Sequence, residues 1–311
     1  MRFRSTARRG LLLLLPGVAA CSHDQPTAPT MAYAVAPTAV YTIEALDMPV
    51  RGGQGEARGI NDAGAIAGWI KGQDDYRAIR WLTHDAAQDL GNLPGLPADI
   101  ANDINIDGTV VGFAFGSSVS FARAFVWTQQ GGMRALPDLG GNAGIAWAIN
   151  SGGQVAGWAA DSFGTVHAAR WDSAGNITDL NPPGGTSMAL DINDAGDIAG
   201  WTFPLGGTAE HAHLWRHDGT QLDLGTPGGA LSNGFGINNS RMIVGFTLPP
   251  FPDPEVAFVW DQVRGMHNFG YGIHSQAFAI SDLGRSVGLA ANTGVPDRRR
   301  QRGTADHGGK A

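Results

Sequence analysis

The pattern of hydrophobic and polar positions repeats along the chain every 43 to 46 residues. One marker of the repeat is an Ile followed by Asn, at Ile60-Asn61, Ile104-Asn105, Ile149-Asn150, Ile192-Asn193 and Ile237-Asn238, with a degenerate Ile280-Ser281. A second marker is a Trp that ends a short apolar run, at Trp81, Trp127, Trp171, Trp215 and Trp260. Two independent markers in step indicate a repeat architecture, and this period with several strands per repeat is typical of propeller blades.

Each repeat divides into four short segments with strand character. In the third repeat they cover residues 146–150, 154–159, 167–171 and 177–180, with turn residues between the first two and the last two. A Gly late in a short Asn- or Asp-containing turn supplies the positive φ that a tight hairpin needs. The sequence therefore predicts an all-β protein, a β-propeller built from four-stranded blades.

Small and aromatic residues recur at fixed places in the repeat. An Ala precedes each repeated Trp by three residues, and we expect it to let neighbouring sheets approach while the Trp fills the space between them. A second aromatic stripe ends strand two at Trp69, Phe113, Trp158, Trp201 and Phe246. We expect both stripes to form core, and the second not to be a sugar-stacking platform.

Several motifs resemble the HAF family of extracellular repeats, named for a His-Ala-Phe triplet. They are Arg123-Ala124-Phe125-Val126-Trp127, Asp138-Leu139-Gly140 and the segment from Asp103 to Gly112. The third strand departs from the triplet, with His167-Ala168-Ala169 and His211-Ala212-His213. The resemblance covers about residues 42–289 and implies secretion and a repeat fold, but no catalytic mechanism.

The ends of the repeat region suggest how the ring closes. Residues 41–47 precede the first Ile-Asn marker at the place where a fourth strand lies in other repeats, and the last repeat supplies strands one and two only. We predict that the N-terminal strand completes the last blade and removes exposed edges. This gives about six blades, the last composite or incomplete, over residues 40–290, with a disordered tail at 291–311.

The first twenty residues have the features of a signal peptide. Four arginines precede the apolar run 11–15, which is too short to span a bilayer. Val18-Ala19-Ala20-Cys21 resembles the lipobox of bacterial lipoproteins, which implies cleavage before Cys21 and lipidation of its sulfur. Ser22 then implies sorting to the outer membrane, with a periplasmic or surface-exposed protein. Residues 21–39 are rich in Pro, Thr and Ala, and predict a flexible tether.

Charge narrows the range of partners. The net charge is −7, and removal of the four leader arginines makes it −11. Such a surface repels phosphate backbones, so we do not expect nucleic-acid binding. The expected partners are the outer membrane, through the lipid, and an extracellular ligand, either glycan or protein.

Strand order assigns the variable loops to one face of the ring. The turns after strands one and three are short and regular, whereas the loops after strands two and four differ between repeats. Variation on a rigid scaffold marks a candidate ligand face. Its candidate ligand residues are Asp74, Asp75, Tyr76, Asp161, Glu210, Asp253 and Glu255, with Asp99 nearby. Such a rim would accept Ca²⁺ or a cationic partner, and no other cofactor is predicted; a merely solubilising acidic surface is the alternative.

No catalytic or metal-binding residues are predicted. Asp103, Asn105 and Asp107 resemble the start of a calcium loop, but Ala114 stands where its last carboxylate belongs. His211 and His213 point to one side of a strand without an evident third ligand. No Gly-x-Ser-x-Gly motif occurs, and the Asp of each Asp-Leu pair (Asp89, Asp138, Asp179, Asp223) is expected to hold a turn.

Two functional hypotheses follow. The first is a membrane-anchored binding or interaction module, because the repeats carry no unique constellation of polar residues. The second is a propeller hydrolase or lyase that acts on extracellular polysaccharide or peptide, because acids on the variable loops offer pairs of carboxylates.

Overall fold

The computed structural model describes residues 2–4, 42–48, 53–72, 75–116, 121–181, 185–204, 206–227, 229–250, 254–269 and 274–291. In the described part of the chain, five four-stranded antiparallel sheets follow one another, with one two-stranded sheet before them and another after them. Within each four-stranded sheet the strands are in sequence order, so every connection there is a hairpin. The predicted all-β propeller with about six blades is confirmed, and the last blade is incomplete.

The first three blades begin at residue 54. Blade 1 contains β3 (Gln54–Ile60), β4 (Ile66–Lys71), β5 (Tyr76–Trp81) and β6 (Ala87–Asp89). Blade 2 contains β7 (Ala98–Ile104), β8 (Val110–Phe115), β9 (Arg123–Thr128) and β10 (Gly132–Ala135). Blade 3 contains β11 (Gly140–Ile149), β12 (Val155–Asp161), β13 (Val166–Trp171) and β14 (Ile177–Asp179).

The remaining blades continue the same order. Blade 4 contains β15 (Gly185–Ile192), β16 (Ile198–Pro204), β17 (His211–Trp215) and β18 (Gln221–Gly225). Blade 5 contains β19 (Leu231–Ile237), β20 (Ile243–Leu248), β21 (Val256–Asp261) and β22 (Gly265–Asn268). Blade 6 contains only β23 (His274–Ile280) and β24 (Ser286–Ala291), and near the N-terminus β1 (Arg2–Arg4) pairs with β2 (Thr42–Glu44).

Successive blades pack face to face. Strand one of each later blade contacts strands one, two and three of the blade before it. The five repeated Trp side chains fill the space between sheets, and each is at most 6% exposed. The Ala residues beside them are 3% exposed or less, so the sheets can approach closely. The prediction that the repeated Trp forms the core is confirmed.

The second aromatic stripe behaves differently from the first. Phe113 and Phe246 are buried, as predicted, whereas Trp69, Trp158 and Trp201 are only half-buried. All five lie near the end of strand two that leads into the variable loops. Trp69 and Trp158 pack against a buried cluster, in agreement with a core role, but all three indoles keep part of their surface exposed.

The repeated Asn links each blade to the next. Its side-chain oxygen accepts a hydrogen bond from the backbone N–H four residues later, which closes the first hairpin. Its amide donates to the backbone oxygen of the equivalent residue in the next blade. These donors are Asn61, Asn105, Asn150, Asn193 and Asn238, at 2.8, 3.3, 3.0, 3.1 and 3.0 Å. We call this set the amide ladder.

The first hairpin also explains its glycines. Gly108, Gly153 and Gly196 have φ between 75° and 84°, a region that other residues rarely adopt. In the fifth blade Arg241 takes this place with φ of 59°, and its guanidinium contacts the buried carboxylate of Asp197. That ion pair offsets the backbone strain of a non-glycine residue here.

Among the described residues blade 6 is incomplete, as predicted, but the N-terminal strand does not pair with it. Thr42–Glu44 pairs with Arg2–Arg4, and β24 has a neighbour on one side only. All six residues of β24 and six of the seven residues of β3 are exposed. Among the described residues, blade 6 has no third strand paired with β24. The seam between the first and last blades is therefore open.

The segment before blade 1 nevertheless lies where a fourth strand would lead into a blade. Trp81 Nε1 donates to the backbone oxygen of Asp47 at 2.8 Å, and Trp171 Nε1 donates to that of Pro137, also at 2.8 Å. Both bonds span 34 residues. Leu46 and Met48 pack against the outer part of blade 1. The predicted position is thus correct at its C-terminal end, although the strand pairing is not.

We predict that the amide ladder carries a large share of the stability. Asn193→Ala removes the bond to Asn238 O and the bond from Asp197 N. Asn238 O keeps the bond from the backbone N–H of Arg241, whereas the buried N–H of Asp197 is left without an acceptor. The expected loss is about 2–4 kcal/mol of unfolding free energy, measured by denaturant titration. Asn176→Ala, in an exposed turn, is the matched control. Equal losses for the two variants would contradict a special role for the ladder.

Candidate functional site

The ring has two chemically different faces. The short-turn face carries the hairpin turns at 61–65, 105–109, 150–154, 193–197 and 238–242. The variable face carries the ends of strand two and the beginnings of strand three, where the loops differ between blades.

The candidate ligand residues are spread over the variable face. Asp75 is exposed, and Tyr76, Asp161, Glu210 and Glu255 are partly buried. Asp74, Asp253 and the lipidation residue Cys21 lie outside the described residues.

Asp161 has a local structural role. Its Oδ1 accepts hydrogen bonds from the backbone N–H groups of Phe163 and Thr165, both at 2.8 Å, and so closes the loop between β12 and β13. Its Oδ2 lies 3.7 Å from His167 Nε2. Asp99 is fully buried instead of lying on the rim, and it accepts a bond from the backbone N–H of Ala78. Ser187, Ser232 and Ser275 accept the equivalent bond in later blades.

Glu210 and Glu255 occupy equivalent positions just before or at the start of strand three. Glu210 Oε2 accepts a hydrogen bond from Asn233 Nδ2 at 3.0 Å. Glu255 Oε2 contacts Gln276 Nε2 at 2.5 Å and His274 Nε2 at 2.8 Å. Each Glu thus pairs with an amide on strand one of the next blade, and each pair presents an acceptor beside a donor.

We call the ring formed by these positions the inner rim. Its strand-one members are the residues paired with the second aromatic stripe: Glu56, Ile100, Ile145, Met188, Asn233 and Gln276. Its strand-three members are Tyr76, Ala122, Val166, Glu210 and Glu255. From Ile100 to Met188 the rim is apolar, whereas from Glu210 to Gln276 it is polar.

A chain of aromatic rings, all partly exposed except the buried Phe113, lies beside the rim in blades 1 to 3. The ring centroids of Trp69 and Tyr76 are 5.0 Å apart, and those of Tyr76 and Phe115 are 5.8 Å apart. Phe113 continues the chain, at 5.7 Å from Phe115 and 6.4 Å from Trp147. These rings belong to three successive blades, so the cluster is contiguous across two blade interfaces.

The short-turn face holds a cavity of about 620 Å³. Residues from blade 1 and from blade 6 both line it, which shows that the row of sheets curves round an axis. Its polar walls bond to one another. Asp194 Oδ1 accepts from Ser151 Oγ at 2.6 Å, and Asn239 Nδ2 donates to Asp194 and Asp282 at 2.9 and 3.0 Å.

Sequence reasoning did not single out these cavity residues. Each of them directly follows the repeated Asn, or Ser281 in blade 6. Their residue types differ from blade to blade, so only their position in the repeat could have indicated that they line a cavity. Because they satisfy one another, the cavity is a product of the blade contacts.

The repeated Asp of the Asp-Leu pair has the predicted turn role. Asp89, Asp138, Asp179 and Asp223 each accept a bond from the backbone N–H two residues later. Each also pairs with a cationic or imidazole side chain at the start of strand three. These partners are Arg77, Arg123, His167 and His211, at 3.4, 3.3, 2.9 and 2.8 Å.

Besides the buried Asp99, strand one carries two partly buried carboxyls, Asp103 and Asp191. Asp103 Oδ2 accepts from the backbone N–H of Ile149 at 2.9 Å, and Asp191 Oδ2 accepts from that of Ile237 at 2.8 Å. Burial raises the pKa of Asp103 to about 6 and that of Asp191 to about 7, and the charge of Asp103 adds to the effect on Asp191. Burial likewise raises the pKa of Asp99 to about 7.

The two histidines considered as metal ligands have separate environments. His211 pairs with Asp223, whereas His213 is 6% exposed and stacks on Trp215 with 4.7 Å between ring centroids. His213 stands where Phe125 and Phe258 stand in other blades. Burial lowers its pKa to about 4. Among the described residues, no group of three His, Cys, Asp or Glu is arranged to hold a metal ion.

Comparisons with known proteins identify the fold. No family model and no curated protein matches the chain. A solved structure assigned as TolB from Agrobacterium tumefaciens matches with a TM-score of 0.52 and 13% identity, over 76% of this chain and 90% of that one. TolB from Acinetobacter baumannii matches with a TM-score of 0.51 and 16% identity, over 69% of this chain and 54% of that one.

A puromycin hydrolase is also similar, with a TM-score of 0.52 and 16% identity. The match covers 81% of this chain and 44% of the hydrolase. At these identities the similarities establish the β-propeller fold and nothing finer. No helix in the described part of the chain has the length and hydropathy of a membrane-spanning segment.

We predict that the buried His213 lowers the free energy of unfolding at acidic pH. Because its pKa is lower in the folded chain than in the unfolded chain, its neutral form stabilises the fold above pH 6.5, and this contribution is lost as pH falls toward 4. His213→Phe should therefore gain about 3 kcal/mol relative to the original chain between pH 7 and pH 4, measured by denaturant titration.

The test uses the difference in unfolding free energy between His213→Phe and the original chain. Asp103 and Asp191 are present in both, and their raised pKa values favour the fold at low pH, opposite to the effect of His213. His267→Phe on the exposed part of β22 is the matched control. A difference between His213→Phe and the original chain that stays constant from pH 7 to pH 4 would contradict the prediction.

Proposed function

We propose that the chain is an exported, lipid-anchored β-propeller that binds an extracellular ligand through its variable face. The observation that carries the proposal is the chemistry of the inner rim. Structurally equivalent positions hold Tyr76 and Ala122 in two blades but Glu210 and Glu255 in two others. A scaffold that needed these positions only for packing would repeat one residue type, as it does for Asn and Trp.

The short-turn face supports the same assignment by contrast. Its repeated Asn and the residues that line its cavity form hydrogen bonds with one another. Those groups hold the blades together, and a ligand would compete with them for the same bonds. The variable face is where side chains are free to differ.

A binding role is preferred to the hydrolase or lyase alternative. Three described carboxylates at or near the inner rim already have partners: Asp161 closes its own loop, Glu210 pairs with Asn233, and Glu255 pairs with His274. The similarity to the hydrolase covers less than half of that protein and brings no activity with it. The similarity to TolB supports the propeller fold and supplies no ligand.

The leader supports the anchoring part of the proposal. Cys21 is the chain's one cysteine, and it follows an apolar run and small residues. The predicted lipid would hold the propeller at the membrane through the tether at 21–39.

Anchoring is tested with two neighbouring substitutions. Cys21→Ser should abolish incorporation of labelled palmitate and release the chain from the membrane fraction. Ser22→Asp should keep the label and shift the protein to the density of inner membranes. Unchanged membrane association of the Cys21→Ser variant would refute lipid anchoring.

Binding is tested by charge reversal on the two faces. The full-length chain is incubated with extracellular polysaccharide and envelope-protein fractions, and retention is measured. Asp75→Lys on the variable face should reduce retention severalfold, whereas Asp107→Lys on the short-turn face should not, because both residues are exposed and only the former lies near the rim.

The same fractions test the alternative. Release of cleaved products that is abolished by Glu210→Gln would replace the binding proposal with the hydrolase or lyase. Equal loss of retention in both charge-reversal variants would remove the variable face as the site.

A further inference from the structure

The aromatic residues beside the inner rim differ from the repeated Trp between the blades. Those Trp residues are almost fully buried, whereas Trp69, Tyr76, Phe115 and Trp147 are each partly exposed. The buried Phe113 links Phe115 to Trp147, so the rings form one chain along blades 1 to 3. A contiguous, partly exposed aromatic surface on a rigid scaffold indicates a binding surface.

The opposite part of the rim offers hydrogen bonds. The Glu210–Asn233 and Glu255–Gln276 pairs each place a carboxylate oxygen beside an amide group. Such a pair can accept a hydrogen bond from one hydroxyl and donate a hydrogen bond to its neighbour. Adjacent hydroxyl groups with flat apolar C–H faces between them are the surface of a sugar ring.

Charge distinguishes neutral sugars from other ligands. Among the rim carboxylates, Glu56 lies 3.4 Å from Arg58, whereas Glu210 and Glu255 accept from the neutral amides of Asn233 and Gln276. An amide beside a carboxylate offers hydroxyl groups both a donor and an acceptor, whereas a cationic peptide uses only the acceptor. The net charge of −11 after removal of the leader disfavours uronic acids and phosphorylated sugars.

We infer that the inner rim binds a neutral oligosaccharide, with sugar rings on the aromatic residues of blades 1 to 3 and hydroxyl groups on the carboxylate–amide pairs of blades 4 to 6. This inference rests on the proposed function and names its ligand class. It also gives the half-exposed Trp69 a role that core packing does not require.

The experiment compares one variant on each side of the rim. Tyr76→Leu keeps apolar contact with Trp69 and Phe115 but removes the flat ring face. Glu210→Gln keeps an oxygen that accepts from Asn233 but removes the charge. Asp107→Asn, an exposed acid on the short-turn face, is the matched control. Thermal melting of all three variants establishes that each is folded.

The probes are neutral cello-, xylo-, manno-, malto- and chito-oligosaccharides and a lysine-rich peptide. Each is titrated by calorimetry into the full-length chain, held in a detergent without a sugar head group. We expect at least one oligosaccharide to bind, and both Tyr76→Leu and Glu210→Gln to weaken it about tenfold or more. Asp107→Asn should leave its affinity unchanged.

Two outcomes overturn the inference and separate it from the proposed function. If the peptide binds, the sugars do not, and Glu210→Gln weakens the peptide, then the variable face binds a cationic partner and only the carbohydrate assignment fails. If folded protein binds no probe and instead cleaves one of them, the proposed binding function fails as well. Sugar binding that Tyr76→Leu and Glu210→Gln both leave unchanged removes the inner rim as the site.

Discussion

The repeated Asn makes two hydrogen bonds that belong to different levels of the structure. Its oxygen closes a hairpin within one blade, and its amide reaches the backbone of the next blade. Both bonds lie in a buried place, where an unpaired donor or acceptor is costly. The turn is therefore fully satisfied only when the next blade is docked. This coupling explains why the Asn recurs with the same period as the Trp that fills the space between the sheets.

The same hydrogen bonds divide the molecule into two parts. One is a framework of repeated residues that hold the blades together, and the other is a face whose side chains differ between blades. On the short-turn face nearly every polar side chain that lines the cavity is used between blades, as Asp194 and Asn239 show. On the variable face, Asp99, Ser187, Ser232 and Ser275 accept a backbone N–H from the preceding blade. The rim position just before strand three is outside this set of bonds, and blades 2 and 4 place Ala122 and Glu210 there.

Several blades carry polar residues where others carry small or apolar ones. Asp103 and Asp191 replace the Gly or Ala of other blades, and each accepts a bond from the next blade. His213 replaces a Phe and gains no equivalent bond. The carboxyls favour the fold when protonated and the imidazole when neutral, so the stability of this propeller has opposing contributions across mildly acidic pH.

Much of the fold is present in the sequence because a blade is a local object. Four strands joined by short turns need only the Gly at Gly196, the Asn at Asn193 and an apolar alternation, and all of these are visible within one period. The burial of Trp171 follows too, since a four-stranded sheet cannot cover its own apolar face. The positions of Asp75, Tyr76 and Glu210 on one face follow from strand order alone.

The hydrogen bonds and packing contacts between blades were decided by the tertiary structure. The amide of Asn193 finds its acceptor 45 residues away, and no local pattern reveals that partner. The half-exposure of Trp69 depends on how far the next blade reaches over it, and the pairing of Glu210 with Asn233 depends on the register between two sheets. The open seam at β24 has the same cause: a repeat period reports each blade but not whether the two ends of the row meet.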